Sequence, residues 1–231
     1  MSKFKKILFI LIFILAIEIV LIYIGYKKDI NTKNNSSNNK NIAIFIDLTS
    51  NRLDVFKNSI IVKSYNIASG KVSTPSPIGT WKIINKGTWG SGFGGRWMGL
   101  NVPWGTYGIH GTNRPNSIGH RASHGCIRMN NKDVIELYDI IPYGTTVIIW
   151  GGPFGNFGEY LRPIRPGMTG SDVYEVQRLL KQKGYYNGNP DGIYGENMRM
   201  IVHKFQKDNN LYICDTINSS FYKQLGVQLI E

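Results

Sequence analysis

The sequence predicts a multidomain chain with three parts: one membrane-spanning helix, a mainly β domain and a small all-α domain. Residues 7–26 form a nearly unbroken apolar run, residues 42–150 alternate near period two, and the period becomes helical over residues 165–231. The 231 residues are enough for two domains with cores of their own, and 26 glycines favour a turn-rich β domain.

The N-terminal segment has the pattern of an uncleaved signal anchor over residues 1–28. Its apolar run, residues 7–26, would span about 30 Å as a helix, which is the thickness of a bilayer core. Glu18 interrupts the run at a cost of about 3 kcal/mol, and no small-residue cleavage site follows. Residues 29–41 are polar and low in complexity, which predicts a flexible linker. We therefore expect a single-pass protein of the cell membrane whose later domains are extracytoplasmic.

Residues 42–150 are predicted to form the β domain. One segment inside it has helical spacing, at residues 131–141. The alternating segments that predict strands are residues 42–56, 59–69, 79–87 and 145–150. Residues 151–164 are rich in glycine and aromatics and predict an interdomain linker, packed through Phe154 and Phe157.

Residues 165–231 are predicted to form three helices. The first has Ser171 as a plausible N-cap and ends at Gly184. A second helical segment follows a turn-rich loop and carries apolar residues on one side, and a short third helix follows it. The residues expected in the core of this domain are Val173, Val176, Leu179, Leu180, Met198, Ile201, Val202 and Phe205.

Charge and cysteine content limit the possible partners. The net charge is +12, and seven lysines against Glu18 and Asp29 within the first forty residues supply part of it. The remainder would attract an anionic polymer or lipid surface, or is simply scattered solvated lysine. No basic helix or basic–aromatic stripe is present, so we predict no nucleic-acid partner. The two cysteines, Cys126 and Cys214, fall in different predicted domains and are not paired.

Residues 107–129 contain three of the four histidines together with Cys126. A free thiol is mostly protonated at neutral pH, and a neighbouring imidazole can take its proton. His124 is two positions away, whereas His110 is sixteen positions back after a strand-like entry. Such a group suits acyl transfer, which needs a nucleophile, a base and oxyanion donors.

The residues around Cys126 fit that chemistry. Gly125 permits close backbone approach to a reacting carbonyl, and the amides of residues 125 and 126 are candidate oxyanion donors. Arg128 would favour the thiolate or bind a carboxylate. His120 reads as polar loop surface. A zinc site remains an alternative for three histidines and a cysteine, although neither C-x-x-C nor H-E-x-x-H is present; a chance cluster is the other.

The segments "YGIHGTN", "SHGCIRM" and "NKDVIELY" together resemble the catalytic motif of the L,D-transpeptidases of peptidoglycan, the YkuD-type domain. The segment "TPSPIGTWKI" at residues 74–83 also resembles an upstream motif of that family. The likeness covers residues 42–150. It implies a β-sandwich-like catalytic domain, which the predicted anchor would hold on the cell-wall side of the membrane.

The resemblance implies a role for each matched residue. Cys126 corresponds to the nucleophile and His110 to its general base, with the carbonyl of Gly111 orienting the second ring nitrogen. His124 is expected to assist. The positions expected to bind substrate are Ser123, Gly125 and Arg128.

The resemblance also implies a reaction. The thiolate would attack the third residue of a donor tetrapeptide stem and release D-Ala. An amine of an acceptor stem would then form a 3–3 cross-link, while water as acceptor would give L,D-carboxypeptidase activity. No cofactor and no metal are implied, and a carbapenem is expected to acylate Cys126. Two other functions stay open from the residues: a catalytically weak wall-binding scaffold, and a cysteine amidase or peptidase acting on stem peptides.

The C-terminal part resembles the PG_binding_1-type peptidoglycan-binding module, through "GSDVYEVQRLLKQKGYYNGNPDGIYG" and "VHKFQKDNNL". This implies the bacterial cell wall as a partner. Asp191 lies in the module's loop, where its residue type also suits a plain turn. Met198, Met200 and Ile201 depart from the usual pattern of smaller residues, which puts wall binding in question.

Overall fold

The computed structural model describes residues 42–228, which form nine strands and four α-helices. The predicted anchor and the tether at residues 29–41 lie outside this range. No helix within the range is long and apolar enough to cross a membrane. The strands are β1 Ile42–Asp47, β2 Arg52–Lys57, β3 Ile60–Gly70, β4 Gly79–Gly87, β5 Trp97–Leu100, β6 Tyr107–His110, β7 Arg121–Ser123, β8 Ile127–Met129 and β9 Thr146–Trp150. The helices are α1 Asn131–Ile140, α2 Ser171–Gln182, α3 Glu196–Asp208 and α4 Ser219–Leu225.

The strands form one sheet that closes on itself. Its order is β2-β1-β9-β4-β5-β6-β8-β3-β7, and β3 pairs back with β2. Closure depends on the two long strands, because β3 pairs with β2 along its first part and with β8 near its end. Similarly, β4 pairs with β9 and then with β5. The mainly β prediction is confirmed, but a closed barrel-like sheet takes the place of the β-sandwich-like arrangement that the resemblance implies.

The first hydrophobic core fills the interior of this closed sheet. Helix α1 closes it from one side through Val134 and Leu137, which are fully buried. The predicted helix after the cysteine motif is thereby confirmed. The buried strand residues of this core include Ile44, Ile46, Leu53, Ile67, Ile83, Met98, Ile109, Ile127 and Ile149.

A second hydrophobic core lies among α2, α3 and α4. Most of the residues predicted to form the core of this domain are buried there. Helix α2 begins at Ser171, with Gly170 at the N-cap, and the serine makes no capping hydrogen bond. The predicted cap is therefore displaced by one residue. The helix ends as predicted, because Gly184 adopts a φ of +81° that suits glycine.

Gln177 of α2 holds the loop that contains Asp191. Its side-chain oxygen accepts hydrogen bonds from the amides of Asp191 and Gly192, at 2.9 and 2.8 Å. Its amide nitrogen donates to Asp191 Oδ1 and to the Ile193 carbonyl, at 2.8 and 3.0 Å. Asp191 thus has a structural role in this loop.

The same loop touches the β domain. A Cβ placed at Gly192 would lie 2.3 Å from the ring of Trp104, so only glycine permits this approach. Trp104 also packs against Tyr174 of α2 and against Trp81, with ring centroids 5.6 and 5.3 Å apart. Residues 42–228 therefore form one compact unit around two cores.

We expect Gln177→Ala to destabilise the protein by about 2–3 kcal/mol, because four hydrogen bonds are lost and two backbone amides are left unpaired in a buried site. Gln224→Ala is the control, since this exposed residue donates only one side-chain hydrogen bond, to Asn209. Urea unfolding followed by tryptophan fluorescence measures both. Equal free energies of unfolding for the two variants would contradict the role given to Gln177.

Candidate active site

The pairing of β6 with β8 brings the predicted reactive residues onto one face. The strands are parallel, with Ile109 opposite Ile127 and His110 opposite Arg128. The two isoleucines point into the core, so the residues flanking them point to the other face. Continuing the register by one residue puts Cys126 beside Gly108. Cys126 and His110 are then diagonal neighbours, with α-carbons about 8 Å apart.

The imidazole of His110 is held in one orientation. Its Nδ1 lies 2.5 Å from the carbonyl oxygen of Gly111, the contact expected from the resemblance. With Nδ1–H donating to that carbonyl, Nε2 carries the lone pair and is available as a base. The side chain is almost fully buried, at 6% exposure.

An aromatic wall encloses His110. The ring of Trp97 stacks on the imidazole at 5.7 Å between centroids, and Phe93 approaches edge-on at 4.9 Å. Trp89 stacks in turn on Trp97 at 4.6 Å. Sequence reasoning missed this wall. The signal was present in the aromatic and glycine-rich segment at residues 87–97, which has no strand alternation over most of its length.

Asn131, the first residue of α1, supports the turn after His110. Its Oδ1 accepts a hydrogen bond from the Thr112 amide at 2.8 Å. Gly111 and Gly94 pack so closely on this side chain that a Cβ at either would lie 2.5 or 2.1 Å from Oδ1. The Gly111 amide also donates to the Phe93 carbonyl at 2.9 Å. Asn131 therefore joins the aromatic segment to the carbonyl that orients His110, another role that sequence reasoning missed.

Ser123 shapes the turn that presents Cys126. Its hydroxyl donates to the Cys126 carbonyl oxygen at 2.6 Å and accepts the Gly125 amide at 3.0 Å. Ser123 is fully buried and both interactions are internal. Its side chain is therefore closed to substrate, contrary to the predicted substrate-binding role. The Gly125 amide is likewise already used, which leaves the Cys126 amide as the candidate oxyanion donor.

Gly125 is required at its position. Its φ of +114° disfavours any other residue, and a Cβ there would lie 2.6 Å from the ring of Tyr107. Tyr107 thus lies beside the reactive turn. A cleft of about 390 Å³ runs along β5 and β6 and is lined by Tyr107 and Trp97 among others. The cleft is thus lined by Trp97, which stacks on His110, and by Tyr107, which lies beside Gly125, although neither Cys126 nor His110 lines it.

Burial favours the neutral forms of both reactive groups. Desolvation raises the pKa of the Cys126 thiol, opposed by a hydrogen bond from the Gly108 backbone and by the charge of Arg128. Desolvation also lowers the pKa of His110, while the contact with the Gly111 carbonyl opposes this and Arg128 adds to it. Both shifts favour a resting thiol and a neutral imidazole over an ion pair.

The remaining predicted residues have different surroundings. Arg128 is half-buried, with Nη1 3.5 Å from the Ala122 carbonyl, and its charge acts on both reactive groups. His124 is exposed and makes no side-chain hydrogen bond to any residue within 42–228, so its assisting role stays a prediction. His120 lies on an exposed loop. In the described part of the chain, no three His, Cys, Asp or Glu side chains cluster closely enough to hold a metal ion.

Comparison with known proteins identifies the family of the β domain. The model of the L,D-transpeptidase catalytic domain matches residues 41–149. The YqjB protein of Bacillus subtilis, named as an L,D-transpeptidase, is 34% identical over 123 residues, which cover 46% of this chain and 69% of YqjB. The chain belongs to the L,D-transpeptidase family. YkuD of the same organism, also named as an L,D-transpeptidase, is 47% identical over 107 residues, or 46% of this chain and 64% of YkuD.

Two further matches were found. The model of a peptidoglycan binding domain matches residues 169–212, within the helical region. Among solved structures, the catalytic domain of an L,D-transpeptidase from E. faecium is 28% identical, with a TM-score of 0.41, and the alignment covers 47% of this chain and 96% of that domain. The chain spans less than two thirds of the length of the first two relatives it matches, at 64% of each.

We expect Asn131→Ala to reduce kcat by about 10-fold or more, because the Gly111 carbonyl loses its support and the His110 ring its fixed orientation. Asn131→Asp keeps an Oδ1 acceptor for the Thr112 amide and should recover part of the activity. Its added carboxylate should also shift the acid limb of the pH–rate profile upward. Steady-state turnover from pH 5 to 9 measures both effects. A uniform loss in both variants without any shift in the profile would indicate a merely structural role.

We expect Cys126 to titrate above the ordinary thiol value of about 8.5 and His110 below the ordinary imidazole value of about 6.5. Activity should then fall on acidification only below about pH 6.5, when His110 becomes protonated. Arg128→Gln removes a positive charge that lowers both pKa values, so both should rise. The pH dependence of Cys126 alkylation by iodoacetamide, followed by peptide mass, measures the thiol.

Arg165→Gln is the control for this experiment, because Arg165 is exposed and lies in the helical region. It should leave the titration of Cys126 unchanged. A Cys126 midpoint below the ordinary thiol value in the unmodified protein would contradict the neutral resting pair.

Proposed function

We propose that this L,D-transpeptidase forms 3–3 cross-links in peptidoglycan by cysteine acyl transfer, with release of D-Ala from a tetrapeptide stem. The observation that carries the proposal is the placement of the Cys126 thiol and the His110 imidazole on one face of β6 and β8, with Nδ1 held by Gly111. This supplies a nucleophile and a base with its free nitrogen on Nε2.

The first half-reaction begins from the neutral pair. As Cys126 Sγ attacks the carbonyl carbon of the third stem residue, Nε2 of His110 takes the thiol proton. The bond to D-Ala then breaks, and the imidazolium returns its proton to the departing amine. A thioester on Cys126 and a neutral His110 remain, so the proton count closes.

The second half-reaction reverses these roles. The amine nitrogen of an acceptor stem attacks the thioester carbon while His110 accepts a proton from that amine. The C–S bond breaks, and the thiolate recovers the proton from the imidazolium. Attack by water would follow the same course and give a tripeptide, which is the L,D-carboxypeptidase alternative.

Oxyanion and substrate contacts are assigned from the geometry of the turn. The Cys126 amide has no hydrogen-bond acceptor among residues 42–228, so we assign it as an oxyanion donor. The charge of Arg128 lies on the same face as the thiol, and we assign it to the stem carboxylate. The cleft lined by Trp97 and Tyr107 is the groove proposed for the donor stem.

We further propose that residues 7–26 anchor the protein in the cell membrane, with both later domains on the cell-wall side. The apolar run and the lack of a cleavage site support this location. The match of residues 169–212 to a peptidoglycan binding domain supports the wall as the partner of the helical region. A carbapenem would acylate Cys126 by the first half-reaction, since its strained β-lactam carbonyl replaces the stem carbonyl.

The reaction is tested with purified full-length protein in detergent and disaccharide-tetrapeptides as the sole substrate. We expect cross-linked dimers and free D-Ala in equal amounts, because each cross-link releases one D-Ala. Cys126→Ala should give neither product. Cys214→Ala is the matched control and should retain full activity, because Cys214 lies in the helical region.

Mass spectrometry of the muropeptides distinguishes the outcomes. Tripeptide monomers without dimers would indicate L,D-carboxypeptidase activity and contradict cross-linking. Cleavage before the third residue would indicate an amidase or peptidase. No turnover by the unmodified protein, equal to Cys126→Ala, would refute the proposed function and favour a wall-binding scaffold.

A further inference from the structure

Tyr107, the first residue of β6, packs directly against the turn that presents Cys126. Continuing the parallel register of β6 and β8 by two residues puts Tyr107 beside Gly125. The ring edge that carries Cε1 lies against Gly125, where an added Cβ would be 2.6 Å away. Since Tyr107 also lines the cleft, it contacts both the reactive turn and the groove proposed for the donor stem.

A second glycine contacts the other edge of this ring. Residues 101–106 connect β5 to β6, and a Cβ at Gly105 of this connection would lie 2.9 Å from Cε2 of Tyr107. The ring therefore fits between Gly105 and Gly125 because neither residue has a side chain. In such close packing, a movement of the 101–106 connection displaces the ring and, with it, the turn at Gly125.

Tyr107 and Cys126 also interact electrostatically. Burial raises the pKa of the Tyr107 phenol, a hydrogen bond with Trp104 opposes this, and the charge of a Cys126 thiolate raises it further. The phenol is therefore protonated at neutral pH. Because burial also raises the pKa of the Cys126 thiol, a displaced Tyr107 would admit water and lower that pKa.

Trp104, in the same connection, is held by the helical region. Its ring meets the ring of Tyr107 edge-on, at 6.3 Å between centroids. It also packs on Tyr174 of α2 and leaves no room for a Cβ at Gly192, whose amide is bound by Gln177. Direct contacts therefore run from α2 through Trp104 and Tyr107 to the reactive turn.

We propose that the helical region positions the active site through Trp104, which holds Tyr107 against the turn that presents Cys126. Trp104 and Tyr107 are then positioning residues for acyl transfer. The inference rests on the proposed function for its reaction, but the contacts that carry it involve no binding to the wall. A change on the helical side of Trp104 should therefore alter the chemistry of Cys126 even with a small soluble substrate.

Gly192→Ala tests this coupling from the helical side. The added methyl group must displace the ring of Trp104, and the φ of +71° is strained for alanine. Gly184→Ala is the matched control, because Gly184 lies in the helical region with a φ of +81°. A Cβ at Gly184 would meet no heavy atom of residues 42–228 within 4 Å. The two variants thus share the backbone strain and differ in the contact with Trp104.

We expect Gly192→Ala to lower kcat and kcat/KM together by about 10-fold, because the placement of the nucleophile in the transition state is lost. Gly184→Ala should keep the activity of the unmodified protein. Turnover is measured with full-length protein in detergent and disaccharide-tetrapeptides, and near-UV circular dichroism establishes that each variant is folded. Equal kcat values for the two folded variants would overturn the proposal.

Trp104→Phe completes a double-mutant cycle with Gly192→Ala. A Cβ at position 192 would meet atoms of the six-membered indole ring, so the smaller phenyl ring makes room for it. The double variant should therefore lose less activity than the product of the two single losses. Losses that simply multiply would show that position 192 does not act through Trp104. If Gly192→Ala does not fold, an unchanged kcat in Trp104→Phe alone would overturn the proposal.

The titration of Cys126 is a second readout, which needs no turnover. Alkylation by iodoacetamide, followed by peptide mass, should give a lower Cys126 midpoint in Gly192→Ala, because the thiol becomes more hydrated. The charge of Arg128, which also acts on the thiol, is the same in both variants. A midpoint equal to that of Gly184→Ala would contradict the positioning role. A lack of dimers from the unmodified protein would instead refute the proposed function, and the midpoint would still decide whether Trp104 positions the turn.

Discussion

The parallel pairing of β6 and β8 is the constraint on which the site depends. Ile109 and Ile127 are opposite each other and fully buried, so the pair is fixed by core packing. A slip of one residue would expose both isoleucines and bury the reactive face. The placement of His110 and Cys126 therefore follows from the same burial that stabilises the β domain. The reactive residues need no separate scaffold.

Around this pair the structure favours neutrality over charge. The aromatic wall of Trp97 and Phe93 removes water from His110, which keeps the imidazole unprotonated and able to accept a proton. The same desolvation makes the Cys126 thiol a weaker acid, and Arg128 partly compensates. Both shifts disfavour a standing thiolate–imidazolium pair, and a thiol is oxidised or alkylated less readily than a thiolate.

The helical region is attached through specific contacts. Gln177 fixes the loop of Asp191 and Gly192, and that loop packs directly on Trp104 of the β domain. The unusual Met198 is fully buried in the second core, so this departure from the peptidoglycan-binding pattern is a packing substitution. Met200 is exposed, so the substitution at this position changes the surface of the helical region instead.

Much of the chain was predictable because its local patterns are strong. Period-two alternation marked most of the strands, and helical spacing marked α1 to α3. The spacing of the histidine–glycine and cysteine segments indicated acyl-transfer chemistry. The residue types themselves identified Cys126 as the candidate nucleophile. These features depend on neighbours in sequence, which is why periodicity and motifs report them.

Other features depend on residues far apart in sequence and were decided only by the tertiary structure. Closure of the sheet follows from β3 and β4 each changing partners midway, which alternation cannot show. The aromatic wall and Asn131 reach His110 through loop packing, and no local pattern marks them. Ser123 was expected to contact substrate, but it is buried and stabilises the turn through two internal hydrogen bonds. The sequence alone determined which chemical groups the protein has, while the fold determined which of them face the reacting atoms.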